Sequence, residues 1–324
     1  MIPNLSRLPG LSKKLEKNAW ADFIELLCLV SKDKEISLGD VLTIASREES
    51  EGPERGSEET GEQEDKLRRQ FLDVFKYLEN RVSLLGDFYP FSFVDEDTIA
   101  IDLDTMTLKG KLYLFLLYCS NLFCFTPSDR YILTHEFESL SRLVLKQMYP
   151  MFHVEVFGTA SEEKDLFYGG TLLERFEKLA KCLNTELKVA TKNNERYATG
   201  SGDGGLDLVG FMRIDPDGAE TSFLPMCFAQ CACSVEDWVT KQSSIKFDQW
   251  NQRFEELVHY SELIFVPFSL RDSNGKWTSS RVDQIVVIPI DRIRFLHILG
   301  ATDMSPLEDT DASAIMEGSV SELD

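Results

Sequence analysis

Residues 200–230 combine side chains that could bind a divalent cation. Four glycines lead into an apolar strand that carries Asp207, and the following strand carries Gln230. These glycines are Gly200, Gly202, Gly204 and Gly205. If the two strands pair, the carboxylate and the amide lie side by side, and Mg²⁺ is typically held by one or two carboxylates, waters and substrate phosphate. The stretch therefore predicts a site for metal-assisted chemistry.

The same residues resemble the motif of the PD-(D/E)xK nuclease superfamily, within it the Mrr-like restriction-endonuclease branch, from Gly169 to about Ile290. In that family a helix with an acidic residue precedes a Gly-Asp-Gly-Gly-hydrophobic-Asp strand, and the paired strand carries E-x-K or Q-x-K. The resemblance implies Glu177 and Asp207 as ligands of Mg²⁺ or Mn²⁺. It implies Gln230 as a ligand or water-orienting group, and a lysine that positions the attacking water.

The lysine of the family motif is replaced here by Ala232. Either the site is inactive, or the ammonium group arrives from elsewhere. Members of the superfamily are known to move this lysine to a neighbouring helix, and Lys241 is the nearest candidate. We expect migration to Lys241, because the acids, the glycines and Gln230 are all present.

Other assignments compete for several of these residues. Glu174 lies one helical turn before Glu177 and competes for the metal-ligand role. Asp203 either lines the site or serves as a turn residue that tolerates a left-handed backbone, and we expect the turn role. Cys227, Cys231 and Cys233 invite a zinc site, but they share one face of a strand without a matching CxxC motif or histidine pair, so we expect buried apolar packing.

Aromatic and basic residues follow the expected site and could contact nucleic acid. The aromatic residues could stack on bases, although core packing is the default expectation. They are Trp238, Phe247, Trp250 and Trp277. The basic residues could offset phosphate charge. They are Lys241, Lys246, Arg253, Arg271, Lys276 and Arg281.

The segment 151–300 alternates predicted strands and helices, which indicates an α/β layered domain. The strands are predicted at residues 152–158, 204–214, 224–233, 262–270 and 284–290, with helices at 169–187 and 248–260. With the resemblance, this pattern predicts a restriction-endonuclease-like mixed sheet flanked by helices.

The N-terminal half is predicted to be mainly helical. Residues 1–46 form a small helical unit whose second helix is capped by Ser37, and residues 66–150 hold further helices and a strand from Phe93 to Leu103. Residues 47–65 have nine acidic and two basic side chains and no aliphatic or aromatic one, so we expect a disordered linker. Residues 301–324 read as an acidic, flexible tail.

Composition excludes some functions. The chain has 324 residues and a formal net charge of -21, which argues against a general nucleic-acid coat protein but not against an enzyme that touches DNA locally. Seven scattered cysteines and no recognisable secretory segment predict a reduced, cytoplasmic protein. The longest apolar stretch, from Leu112 to Phe125, is too short for a membrane span, so we expect no membrane partner.

These observations predict a Mg²⁺- or Mn²⁺-dependent DNA endonuclease in bacterial restriction or anti-phage defence. Its acidity suggests a protein partner subunit that loads it on DNA, and an oligomer is compatible with the sequence. An RNase with the same fold is not distinguished. The rival hypothesis is a catalytically inactive, nuclease-derived scaffold that docks an effector or sensor subunit, for which Ala232 is the main support.

Overall fold

The computed structural model describes residues 16–50, 57–158, 161–216 and 222–301. The chain divides into two compact units. The N-terminal unit extends to Arg130 and also takes Phe268–Ser279, whereas the C-terminal unit takes Tyr131–Pro267 and the chain from Ser280. This division differs from the boundary predicted at residue 150, because most of one long helix belongs with the C-terminal unit. The tail was predicted at residues 301–324, and all of it after residue 301 lies outside the described residues.

The N-terminal unit is mainly helical, as predicted. Its helices are α1 (Lys17–Val30), α2 (Leu38–Ser50), α3 (Ser57–Leu85), α4 (Leu108–Cys119) and the start of α5 (Pro127–Met148). Ser37 caps α2, since its Oγ accepts the Asp40 N–H at 3.1 Å while Asp40 accepts the Ser37 N–H at 3.0 Å. Arg81 crosslinks this unit's core by pairing with Asp22 and Glu25, both at 2.7 Å.

The strand predicted from Phe93 to Leu103 is a hairpin. Strands β1 (Glu35–Ser37), β2 (Phe91–Phe93) and β3 (Thr98–Ile101) form an antiparallel sheet in the order β1-β3-β2. The reversal between β2 and β3 contains Asp95, whose carboxylate accepts the Asp97 N–H. A turn of this kind breaks the alternation that the sequence pattern suggested.

The prediction of a disordered linker at residues 47–65 is wrong where the structure describes it. Residues 47–50 end α2 and residues 57–65 begin α3, while residues 51–56 lie outside the described residues. Glu and Gln have high helix propensity, and the amphipathic segment that follows supplies a helix onto which they can add. High charge alone was therefore a poor indicator of disorder here.

The C-terminal unit contains a five-stranded mixed sheet. Its strands are β4 (His153–Val156), β5 (Leu208–Phe211), β6 (Met226–Cys231), β7 (Ser261–Phe265) and β8 (Ile288–Ile290), in that spatial order. The first two pairings are antiparallel and the last two are parallel. The predicted strands are confirmed in position, although each is shorter than its sequence pattern, and the unit is of mixed α/β class.

Along the chain, helices lie both before and after β5. After α5 come α6 (Leu172–Cys182), α7 (Val189–Lys192), α8 (Glu195–Thr199), α9 (Trp238–Lys241), α10 (Phe247–Asn251), α11 (Ser279–Val282) and α12 (Arg292–Gly300). The sequence analysis did not predict α12. None of the described helices combines the length and the apolarity that crossing a bilayer would require.

The helix predicted at residues 248–260 is wrong beyond its first turn, because α10 ends at Asn251. The following residues pair with another segment instead. Phe254 forms an antiparallel bridge with Leu187, and the Glu255 N–H donates to the Glu186 carbonyl at 2.8 Å. Tertiary pairing and the burial of Trp250 and Phe254 thus override a helical spacing of apolar residues.

Candidate functional site

Asp207 directly precedes β5, an interior strand of the C-terminal unit's sheet. Its N–H donates to the Ala229 carbonyl at 3.0 Å, and its carbonyl accepts the Phe157 N–H at 2.7 Å. The preceding residues Gly204 and Gly205 have φ of 65° and 83°, the left-handed conformation that glycine adopts without strain. The glycines of the motif therefore turn the chain sharply into the strand and fix the direction of the Asp207 side chain.

The two oxygens of Asp207 have different environments. Oδ2 accepts hydrogen bonds from Gln230 Nε2 and from the Cys231 N–H, both at 2.6 Å. The side chain is buried. Burial, together with the negative charge of Asp203, raises the pKa of Asp207 to about 7, against the lowering effect of the Cys231 hydrogen bond. Such a carboxyl titrates near neutral pH and lacks a full counter-charge.

Glu138, a residue that the sequence analysis missed, faces the other oxygen of Asp207. A Cβ built on Gly158 would lie 3.2 Å from Asp207 Oδ1 and 3.3 Å from Glu138 Oε2. We call the space beside Gly158 that these two oxygens share the carboxylate gap. Among the described residues, Glu138 Oε2 is buried without a hydrogen-bond partner. Burial, followed by the charges of Asp207 and Asp203, raises the pKa of Glu138 well above its usual range.

Glu138 reaches the site through the connectivity of the fold. It lies on α5, which immediately precedes β4, and β4 pairs directly with β5. This helix and both strands were predicted from the sequence, but the acidic metal ligand was expected on α6, at Glu177. The missed signal was the pairing of β4 with β5, which brings the helix before β4 next to Asp207.

Glu177 lies away from these contacts. It is exposed on α6, whose buried face carries Phe176 and Leu179. In the described part of the chain, no hydrogen bond or ion pair connects it with Asp207. Its competitor Glu174 is a helix cap, because its Oε2 accepts the Thr171 N–H at 2.6 Å. Glu138, rather than either acid of α6, is the glutamate whose carboxylate lies with that of Asp207 beside Gly158.

Lys241 approaches the carboxylates from α9. Its Nζ donates to the Cys231 carbonyl at 3.1 Å, on the residue whose N–H holds Asp207. Its positive charge lowers the pKa of both Asp207 and Glu138, against the larger raising effects of burial. Ala232 is fully buried, so the motif position of the family lysine is filled by a core methyl group.

Gln230 and Asp203 complete the surroundings of Asp207. The Gln230 amide donates to Asp207 through Nε2 and accepts the Ser244 hydroxyl through Oε1 at 2.9 Å. Asp203 Oδ1 accepts the Gly205 N–H at 2.7 Å. Asp203 thus closes the turn, but its backbone is not in the left-handed conformation that the prediction assumed, and its charge also acts on both acids of the carboxylate gap.

The aromatic and basic residues proposed for nucleic-acid contact are mostly engaged elsewhere. Trp238 and Trp250 are fully buried, and Phe247 stacks on His259 at 3.8 Å between centroids. Lys246 pairs with Glu262 at 2.8 Å. Further guanidinium groups stack on indole rings: Arg253 on Trp250, Arg281 on Trp238, and Arg271 on Trp277. Trp277, Arg271 and Lys276 belong to the N-terminal unit.

Two of the three clustered cysteines, Cys227 and Cys231, are core residues as predicted, whereas Cys233 is only partly buried. All seven cysteines of the chain are free thiols, and Cys227 and Cys231 are buried in β6. Burial raises the pKa of Cys227 to about 12 and that of Cys231 well above its usual range. Thiols held neutral in this way are poor metal ligands, because the thiolate is the binding form.

The carboxylate gap fits a hard divalent cation better than a soft one. Within the described ranges, no group of three or more His, Cys, Asp and Glu side chains is arranged to hold a metal ion. Mg²⁺ and Mn²⁺ need fewer protein ligands, because they retain several waters and also bind substrate phosphate. The orphaned Glu138 Oε2 beside Asp207 Oδ1 is the observation that favours such an ion.

The Gly205→Ala substitution should destabilise the site far more than Gly202→Ala. A Cβ on Gly205 would clash with the Ser244 Cβ, and the backbone φ is 83°, whereas a Cβ on Gly202 meets no atom within 4 Å. We expect Gly205→Ala to lower the free energy of unfolding by about 3 kcal/mol, and Gly202→Ala to change it by about 0.5 kcal/mol or less. Urea unfolding of both variants measures the difference, and equal effects would contradict this role of the turn.

Comparison of the chain with protein-family models, with curated proteins and with solved structures found no match.

Proposed function

We propose that the C-terminal unit is a divalent-cation-dependent endonuclease that hydrolyses phosphodiester bonds of DNA. The observation that carries this proposal is the carboxylate gap. The buried Asp207 and the half-buried Glu138 place Oδ1 and a buried Oε2 around the space beside Gly158, and the ammonium group of Lys241 binds the carbonyl of Cys231, whose N–H donates to Asp207. Raised pKa values in such a cluster are typical of functional sites.

The order of elements in the C-terminal unit supports the resemblance to the PD-(D/E)xK nucleases. That resemblance requires an acidic helix, then a strand with the ligand Asp, then a paired strand with E-x-K or Q-x-K. The chain has the same order. Helix α5 carries Glu138, strand β5 begins directly after Asp207, and the paired strand β6 carries Gln230. In this proposal Glu138 takes the role that the sequence analysis gave to Glu177, and the fold is restriction-endonuclease-like.

Asp207 Oδ1 and Glu138 Oε2 would hold Mg²⁺ or Mn²⁺, which supplies an activated water and offsets phosphate charge. Gln230 and the Cys231 N–H hold the other oxygen of Asp207 and so fix the direction of its carboxylate. Lys241 would offset charge that develops on the phosphate oxygens during attack by water. Hydrolysis forms one P–O bond to the water oxygen and breaks one P–O bond to the leaving sugar oxygen.

The strong acidity of the chain suggests control over DNA access. A net charge of -21 repels phosphate over the range of the Debye length, about 8 Å at physiological ionic strength. We therefore propose that the free protein binds DNA weakly and that a partner subunit, in a bacterial restriction or anti-phage system, loads it on its substrate. Tight, salt-insensitive DNA binding by the isolated chain would contradict this restraint.

Cleavage of supercoiled plasmid tests the proposed activity. The purified chain is incubated with plasmid in Mg²⁺ or in Mn²⁺, at low and at physiological salt, with EDTA as the control. The proposal predicts nicked or linear products that require the metal and that are more abundant at low salt. Absence of cleavage under all these conditions contradicts autonomous nuclease activity.

Substitution of Lys241 by Ala should reduce the rate of metal-dependent cleavage by about 100-fold. The ammonium group binds the carbonyl of Cys231, the residue whose N–H donates to Asp207, so its loss removes the positive charge that we propose offsets the charge of the phosphate. Lys192→Ala is the matched control, because Lys192 is exposed and pairs with Glu186. Equal cleavage rates of Lys241→Ala and the control would contradict the migrated-lysine assignment.

The second candidate function is a catalytically inactive scaffold that docks an effector or sensor subunit. Ala232 favours it, because this buried methyl group occupies the position of the family lysine. The two functions differ in what Asp207 does. A scaffold would bind its partner equally well with Asp207→Asn and would show no metal-dependent cleavage, whereas the nuclease loses activity in that variant.

A further inference from the structure

Ser244 lies where three parts of the candidate site meet. It belongs to a short 3-10 helix, Gln242–Ile245, that follows α9 directly. Its Oγ lies 2.8 Å from the Gly205 carbonyl, 2.9 Å from Gln230 Oε1 and 2.7 Å from the Lys241 carbonyl. One hydroxyl group thus contacts the turn before Asp207, the strand with Gln230 and the helix with Lys241.

The contact with Gln230 decides which way the Gln230 amide faces. An amide has one accepting end and one donating end, and Asp207 Oδ2 needs the donating end. The accepting end must then find a donor on the opposite side. The Ser244 hydroxyl has one proton and three neighbouring oxygens, and we assign that proton to Gln230 Oε1 rather than to the Gly205 or Lys241 carbonyl. With the amide reversed, Gln230 Oε1 would face Asp207 Oδ2, and two acceptors would be opposed in a buried site.

The backbone holds Ser244 close to this position. The Ser244 carbonyl accepts the Trp250 Nε1–H at 2.7 Å, and Trp250 is fully buried. On the other side, the hydrogen of Gly205 faces the Ser244 Cβ, with no room for a side chain. These contacts restrict the position of the Ser244 side chain, while its proton can turn among the three neighbouring oxygens.

We propose that Ser244 is a positioning residue that holds the Gln230 amide with Nε2 toward Asp207. Asp207 Oδ2 is then held by two donors, and Oδ1 is left to face the carboxylate gap. This inference deepens the proposed function and rests on it for its consequence in catalysis. The orientation of the amide itself is a property of the protein without metal or nucleic acid.

Hydrogen exchange of the Gln230 side-chain amide tests this proposal. The full chain is labelled with ¹⁵N in its glutamine side chains, and the Gln230 signal is identified by its absence from a Gln230→Met variant. In the wild type, this amide should exchange at least about tenfold more slowly than that of the exposed Gln249. In Ser244→Ala, its exchange should become about tenfold faster, because the accepting end has lost its donor.

Ser243→Ala is the matched control. Ser243 belongs to the same 3-10 helix, and its hydroxyl contacts the Thr240 carbonyl at 2.7 Å. We expect Gln230 exchange in this variant to stay within about twofold of the wild type. Unchanged exchange in Ser244→Ala, or an equal rise in Ser243→Ala, would overturn the proposal. If Ser244→Ala does not fold, wild-type exchange as fast as that of Gln249 would overturn it instead.

The exchange measurement separates this inference from the nuclease activity. It is made without metal or DNA, so a chain that fails to cleave plasmid can still show the locked amide. If the chain does cleave, Ser244→Ala should lower kcat about tenfold with little change in KM, since the substrate-binding surface is intact. A change confined to KM would overturn the positioning role in catalysis.

Discussion

The Asp207→Asn variant should lose metal-dependent cleavage by on the order of a thousandfold while it folds normally. Asparagine has the same size as aspartate, and its carbonyl oxygen can accept the hydrogen bonds from Gln230 and Cys231. Its amide nitrogen then takes the place of Oδ1 and faces Glu138 Oε2. The substitution therefore removes a negative charge from the carboxylate gap without a cavity or a steric clash.

The same variant should change how stability depends on pH. The folded state raises the pKa of Asp207 from 3.8 to about 7, so it binds this proton more tightly than the unfolded chain does. The resulting stabilisation is fully present below pH 3.8 and is lost as the pH rises to about 7. At most about 4 kcal/mol of unfolding free energy depends on this group. Glu138 adds an effect of the same sign.

Urea unfolding between pH 5 and pH 8 measures this dependence. We expect the wild type to lose stability over that range, and Asp207→Asn to lose less and to be the more stable protein at pH 8. Circular dichroism at pH 5 provides the control that both proteins have the same fold. If the unfolding free energies of the two proteins depend on pH in the same way, the pKa of Asp207 is not raised in the folded state. Full cleavage activity in the variant would contradict the role of Asp207 in hydrolysis.

Glu138→Gln should reduce cleavage by about 100-fold or more, whereas Glu177→Gln should leave the rate within about twofold of the wild type. The first substitution removes the second free carboxylate oxygen of the carboxylate gap. The second changes an exposed carboxylate on α6. Both replace Glu by an amide of the same size, so the pair is matched in chemistry and differs in position.

The comparison of these two variants distinguishes the structural assignment from the sequence-based one. Plasmid cleavage rates are measured in Mn²⁺ and in Mg²⁺, and thermal unfolding verifies that each variant is folded. Loss of activity in Glu177→Gln with normal activity in Glu138→Gln would restore the acid on α6 as the ligand. Loss in neither variant would leave Asp207 without an acidic partner in the site.

Local patterns in the sequence were sufficient to locate much of the C-terminal unit. The turn before Asp207 is encoded by glycines in a left-handed conformation, and the short apolar runs of β5 and β6, buried at every position, form an antiparallel pair. That pairing places Gln230 beside Asp207, as the sequence analysis expected. Lys241 was also predicted from the sequence as the migrated lysine, and its Nζ donates a hydrogen bond to the Cys231 carbonyl.

Features that depend on distant contacts were not predictable in the same way. Glu138 is separated from Asp207 in the chain by strand β4 and helices α6, α7 and α8, and the pairing of β4 with β5 brings α5 to the site. Its sequence surroundings resemble any amphipathic helix. The early end of α10 likewise depends on the bridge between Leu187 and Phe254, which no local pattern encodes.

The most direct test of the central claim is the anomalous diffraction of Mn²⁺ in crystals of the full chain. The claim is that Asp207 and Glu138 jointly bind a divalent cation in the carboxylate gap. We expect an anomalous peak between Asp207 Oδ1 and Glu138 Oε2, absent from crystals of Asp207→Asn grown under the same conditions. A well-ordered site at saturating Mn²⁺ with no peak there, or a peak retained in Asp207→Asn, would contradict the account.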